Sequence, residues 1–102
     1  MGFRLHVCIP NIESEYKGIE ELGKRYDSTW SDFDDYWFGE NAEVHDLFLD
    51  SADLDKFYED LIQIDDINVK NGSAYTLYNL EYLRDLIEYA KEHKYSVYFT
   101  SF

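Results

Sequence analysis

Three histidines, one cysteine and 22 carboxylates are the side chains of this chain best suited to hold a metal, and each type can also attack a substrate or carry a proton. His6, His45 and His93 fall on three separate expected elements, with no Cys-x-x-Cys or His-x-x-x-His spacing, so neither a metal site nor a cofactor is expected. Asp66, Asn68 and Lys70 open like an EF-hand calcium loop, but Lys70 takes a ligand position and Gly72 comes one residue late. Glu15 with Lys17, and Glu92 with Lys94, have the Glu-x-Lys spacing of a metal-dependent nuclease. Both pairs sit on expected helices or their ends, where surface ion pairing is the better reading. Two carboxylates with separated pKa values can share acid and base work. With 22 acids in 102 residues, however, some pair lies at any separation and the pattern carries no signal. Cys8 reads as a small buried hydrophobe within a strand. No Gly-rich phosphate loop or Gly-x-Ser-x-Gly elbow occurs. No catalytic residue is expected, and the chain reads as a non-enzyme.

What distinguishes the acids is their placement. The net charge is −13, and residues 32 to 66 hold thirteen acids against the single base Lys56, a net of −12. The other 67 residues are almost neutral, at −1. Such a density repels nucleic acid and anionic membrane and attracts basic proteins or cations. Within it, SDFDDYWFGE at residues 31 to 40 interleaves Phe33, Tyr36, Trp37 and Phe38 with Asp32, Asp34, Asp35 and Glu40. Trp and Tyr are enriched among interface anchors and receive arginine through cation–π contact. The alternative is that Trp30, Phe33 and Trp37 are core residues on one helical face, with the acids solvated on the other.

These residues need elements to position them. At 102 residues the chain fits one domain, with a core that needs no metal or disulfide. FRLHVCI alternates Phe3, Leu5, Val7 and Ile9 with polar or small residues, a strand that Pro10 ends. Ile19, Leu22 and Tyr26 recur at helical spacing and predict a helix within 14–26, weakened by Gly18 and Gly23. Residues 27–43 read as a short helix or a structured loop. EVHDLFLD predicts a strand with Leu47 and Leu49 on one side and Val44 and Phe48 on the other. Ser51 is the expected cap of a helix to about residue 64, with Leu54, Phe57, Tyr58, Leu61 and Ile62 as its apolar stripe. Asn71-Gly72 signals a hairpin turn within 67–77, although the register calls for a longer loop or bulge. Asn79 is the expected cap of a last helix with the stripe Leu80, Leu83, Leu86, Ile87 and Ala90. YSVYFTSF, apolar on both sides, reads as an interior strand. The fold class expected is α+β: a single small domain over 1–102, with a mostly antiparallel sheet of about four or five strands and about three helices packed on it.

The lone Cys8, with no signal peptide and no apolar run long enough to span a bilayer, points to a cytoplasmic protein. No motif assigns the chain to a family. In outline it resembles the general class of small acidic stoichiometric inhibitors: phage anti-defence proteins such as anti-CRISPR and anti-restriction proteins, and immunity proteins that neutralise nuclease toxins. That resemblance implies a protein that blocks a basic nuclease or other nucleic-acid-binding protein, in part as a nucleic-acid mimic, without binding nucleic acid or membrane itself. Solvent-facing acids three or four positions apart on a helix lie about 5–6 Å from each other, comparable on a coarse scale with DNA phosphates. Candidate partner-binding residues are Asp32, Asp34, Asp35, Tyr36, Trp37 and Glu40, with Asp53, Asp55, Glu59 and Asp60 of the Ser51 helix. The alternative is an adaptor or self-associating module, monomer or homodimer, whose charge serves only solubility.

Overall fold

A computed structural model describes residues 4–39 and 45–101, so Phe3, Glu40, Glu43 and Val44 lie outside the described residues. Strands β1 (Arg4–Cys8), β2 (Glu20–Lys24), β3 (His45–Leu49) and β4 (Val97–Ser101) form one sheet in the order β2-β1-β4-β3, antiparallel throughout. Helices α1 (Ser31–Trp37), α2 (Ser51–Lys70) and α3 (Leu80–His93) complete the α+β domain. No crossover between parallel strands is present among these strands.

Burial explains the elements. Leu5 and Val7 of β1, Val97 and Phe99 of β4, and Leu49 of β3 share one core with Leu54, Phe57 and Leu61 of α2 and Leu83, Leu86, Ile87 and Ala90 of α3. Phe57 meets Phe99 at 4.3 Å between ring centroids, joining the longest helix to the middle of the sheet. As its two-sided sequence predicts, β4 is interior, paired with β1 and β3. Leu47 and Leu49 turn toward the core while Phe48 stands exposed beside Tyr98, as the alternation of β3 requires.

Several boundaries differ from the sequence expectation. The helix expected within 14–26 is instead a 3-10 turn, Glu15–Lys17, followed by β2. Of Ile19, Leu22 and Tyr26, only Leu22 is buried, so their helical spacing marks no common face. Gly23 has φ +133°, outside any helix, and faces Leu77 at a bridge between the two backbones. The hairpin expected within 67–77 is also absent, because α2 continues to Lys70. Asn71-Gly72 is its stop signal: Gly72 takes φ +70°, and Ser73 N–H returns to the Asn68 carbonyl, a glycine-terminated helix end. The chain then runs back along the outer edge of β2, with Lys24 N–H on the Thr76 carbonyl and Tyr78 N–H on the Leu22 carbonyl. Asp50, not Ser51, caps α2 by accepting from Ala52 N–H. Asn79 stands at the cap position of α3, but its amide donates to the Glu21 carbonyl.

A partly buried polar seam locks this return segment to the 3-10 turn Ser28–Trp30 that launches α1. Asp65 accepts from Leu77 N–H at 2.7 Å, and burial pushes its carboxyl above the usual value. Trp30, fully buried, donates its indole N–H to the Tyr75 carbonyl at 2.9 Å. Asn68 donates to the Ile64 carbonyl and accepts from the Thr29 hydroxyl. Burial pushes Asp27 up, but hydrogen bonds from Thr29 and Ser73 more than offset it and hold its carboxyl below the usual range.

Candidate functional site

The rings of the acidic stretch divide according to the pitch of α1. Phe33 is buried, edge-on to Trp30 and 5.4 Å from Phe57, and both it and Trp30 belong to the core. Trp37, one turn on, is half-buried and stands edge-on to Phe57 at 5.1 Å. Tyr36 is 67% exposed. The stripe Trp30, Phe33, Trp37 is thus a core face, and Tyr36, with the half-buried Trp37 and Phe38, brings ring surface toward solvent.

The acids divide as well. Asp34 turns inward and pairs with Arg25, whose side chain is fully buried and lies 4.8 Å from the Phe38 ring centre. Burial pushes the Arg25 guanidinium down to about 10. Asp55 lies on the opposite flank of α2, where Lys91 of α3 holds both its oxygens at 2.9 Å. Asp60 accepts from the Trp37 indole N–H and from Lys56, each at 3.1 Å. Asp32, Asp35, Asp53 and Glu59 are exposed and make no side-chain hydrogen bond or ion pair among the described residues. Of the ten candidates, Glu40 lies outside the described residues.

Packing of α1 against α2 brings Asp32, Tyr36, Trp37 and Asp60 around one shallow cleft of about 190 Å³, with Phe33 and Ile64 in its lining. Asp53 falls two helical turns before Asp60 and therefore on the same flank of α2. Lys56 hangs over this edge, its ammonium 5.2 Å from the Tyr36 ring centre and 5.9 Å from that of Trp37. Its hydrogen bond with Asp60 pushes its pKa up, against a smaller desolvation effect.

Phe33, Lys56, Gln63, Ile64 and Arg25 take part here and are absent from the candidates read from sequence. Ile64 lies four residues, one helical turn, after Asp60 and Gln63 three, so both follow from helical periodicity once α1 is known to pack there. Arg25, nine residues before Asp34, has no local pattern linking it to that acid. Among the described residues no cluster of three or more His, Cys, Asp or Glu side chains is arranged to hold a metal ion, and no helix is long and apolar enough to cross a membrane. No protein-family model, curated protein or solved structure matches the chain.

Proposed function

We propose that this protein is a non-enzymatic inhibitor that binds and blocks a basic nuclease or other nucleic-acid-binding protein through the α1–α2 surface. The observation that carries the reading is that Asp32 stands exposed and unpaired in the wall of an aromatic cleft, with Asp35, Asp53 and Glu59 exposed and unpaired elsewhere on the same two helices. Repulsion among them raises the energy of the free domain, and a cationic partner relieves it. The steering field speeds encounter, while Tyr36 and Trp37 supply contact area that charge alone lacks. A phage anti-defence protein and an immunity protein are two inhibitor types that such a surface would suit.

The test pairs the native chain with a variant carrying Asp32→Lys, Asp35→Lys and Glu59→Lys, used as baits at about 0.1 M and about 0.5 M salt, where screening lengths differ by roughly twofold. The native chain should retain a basic nucleic-acid-binding protein at the lower salt and inhibit it at one-to-one stoichiometry. The variant should lose about tenfold or more in affinity while keeping its fold. A partner indifferent to both salt and variant would sink the proposal.

A second reading rests on β3. Phe48 is 64% exposed on this edge strand, and among the described residues no strand pairs with its outer side. Unpaired edges template association with another chain. This reading makes the protein a homodimer or adaptor, and sedimentation of the native chain beside Phe48→Ser distinguishes it from the first.

A further inference from the structure

The α1–α2 cleft has a size and lining that define a narrower ligand than a general polycation. At about 190 Å³ it falls below the roughly 300 Å³ at which small-molecule sites begin, yet holds the space of about six waters. One side chain fits it. Its walls carry Asp32 from α1 and Asp60 from α2, and Tyr36 and Trp37 supply the aromatic surface between them. Lys56 already shows what the site attracts: its ammonium pairs with Asp60 and lies over both rings. That lysine is a loose occupant, with its side chain 57% exposed and tethered only one turn from Asp60. Asp32 is left without a cation among the described residues. The cleft on the other flank of α2 differs, because there Lys91 already takes both oxygens of Asp55 and Arg84 adds a further cation.

We propose that the α1–α2 cleft is a receptor for one arginine of a basic protein, its guanidinium laid against Tyr36 and Trp37 and held between Asp32 and Asp60, with Lys56 displaced from Asp60. The inference rests on the reading of the acidic surface as a binding face and names the group recognised there. Arginine fits better than lysine because a planar guanidinium stacks on a ring while its fork of donors reaches carboxylates to either side. A lysine ammonium is a compact point charge, more strongly hydrated, and would reproduce only what Lys56 already does.

The chain has two tryptophans, and the Trp30 indole N–H is committed to the Tyr75 carbonyl away from the cleft lining, so the Trp37 indole signal in an NMR spectrum of the labelled full chain reports the cleft directly. Titration with N-acetyl-arginine amide should move the Trp37 signal and leave that of Trp30 in place, at concentrations about threefold or more lower than N-acetyl-lysine amide requires. D32N should weaken the arginine response by about threefold or more, and K56Q should strengthen it, whereas K70Q, with the same change in net charge, should do neither. Equal responses to the two amides, or equal effects of K56Q and K70Q, would overturn the receptor. Hexa-arginine separates this inference from the broader one. If it binds in a salt-dependent way with the Trp37 signal unmoved, the acidic surface binds cations and the cleft does not. If it fails to bind, both readings fall.

Discussion

A guanidinium taken fully out of water costs several kcal/mol unless a carboxylate and further acceptors replace its hydration. Arg25 is in that position, and Asp34 is the acid that meets it, with Phe38 against the guanidinium. The pair ties the chain leaving β2 to α1, so it sets where Asp32, Asp35 and Tyr36 emerge. Asp34 is therefore the member of the acidic stretch whose loss the fold should feel most. Removing one partner of a buried ion pair costs about 3–5 kcal/mol. Asp34 keeps 18% of its side-chain surface, and asparagine keeps an oxygen that accepts from Arg25, so Asp34→Asn should cost about 2–3 kcal/mol in urea unfolding. Asp35→Asn, with nothing to release, should stay within about 0.5 kcal/mol of the native chain. Equal stabilities for the two variants would show that the pair does not hold α1.

The same contrast between local pattern and long-range contact governs the elements. α3 and the first two-thirds of α2 were legible because their apolar period coincides with the face they bury, as were Trp30, Phe33 and Trp37 as a helical stripe, β1 because Leu5 and Val7 alternate onto the core, and β4 because it is apolar on both sides. β2 was not. Four of its five residues are Glu20, Glu21, Gly23 and Lys24, so it carries no strand pattern of its own and exists through pairing with β1 and with Thr76 to Tyr78. Asn71-Gly72 suits a tight hairpin and a helix end equally, and only the seam around Asp65 and Asn68, which needs α2 to reach that far, decides between them. Division of the acids into free and paired was hidden likewise, since Lys91 lies 36 residues from Asp55. Gly23 is where these long-range contacts are tightest: a Cβ there would sit 2.7 Å from Leu77 Cα and 2.8 Å from the Thr76 carbonyl oxygen, at a positive φ. Gly23→Ala should cost about 2–4 kcal/mol, combining left-handed strain with a forced separation of the two backbones, and should raise hydrogen exchange at Lys24 and Tyr78. Gly18→Ala, with open space around the new methyl and no positive φ, should be near neutral. Protection at Lys24 and Tyr78 that survives Gly23→Ala would mean that the two backbones stay paired around the added methyl and that the close approach at Gly23 does not set the place of the 73–79 segment.

Across the whole molecule, charge acts on folding and on binding with opposite signs. At −13, with thirteen of its 22 acids within residues 32–66, the folded chain holds like charges closer together than the expanded unfolded chain does. Added salt screens their repulsion, with the screening length falling from about 10 Å at 0.1 M to about 3 Å at 1 M. Stability should therefore rise between these concentrations, and a gain of about 1 kcal/mol would lift the melting temperature by roughly 4–8 °C for a domain of this size. Surface ion pairs such as Lys56–Asp60 weaken under the same screening, but each is worth under about 1 kcal/mol. Binding of a basic partner should weaken over the same range, because screening removes the attraction that relieves the repulsion. Thermal melts of the free chain and affinities for its partner, measured along one salt series, should run in opposite directions. Stability that falls as salt rises would mean that attraction within the fold outweighs repulsion, leaving the acidic surface with no stored energy for a cationic partner to release.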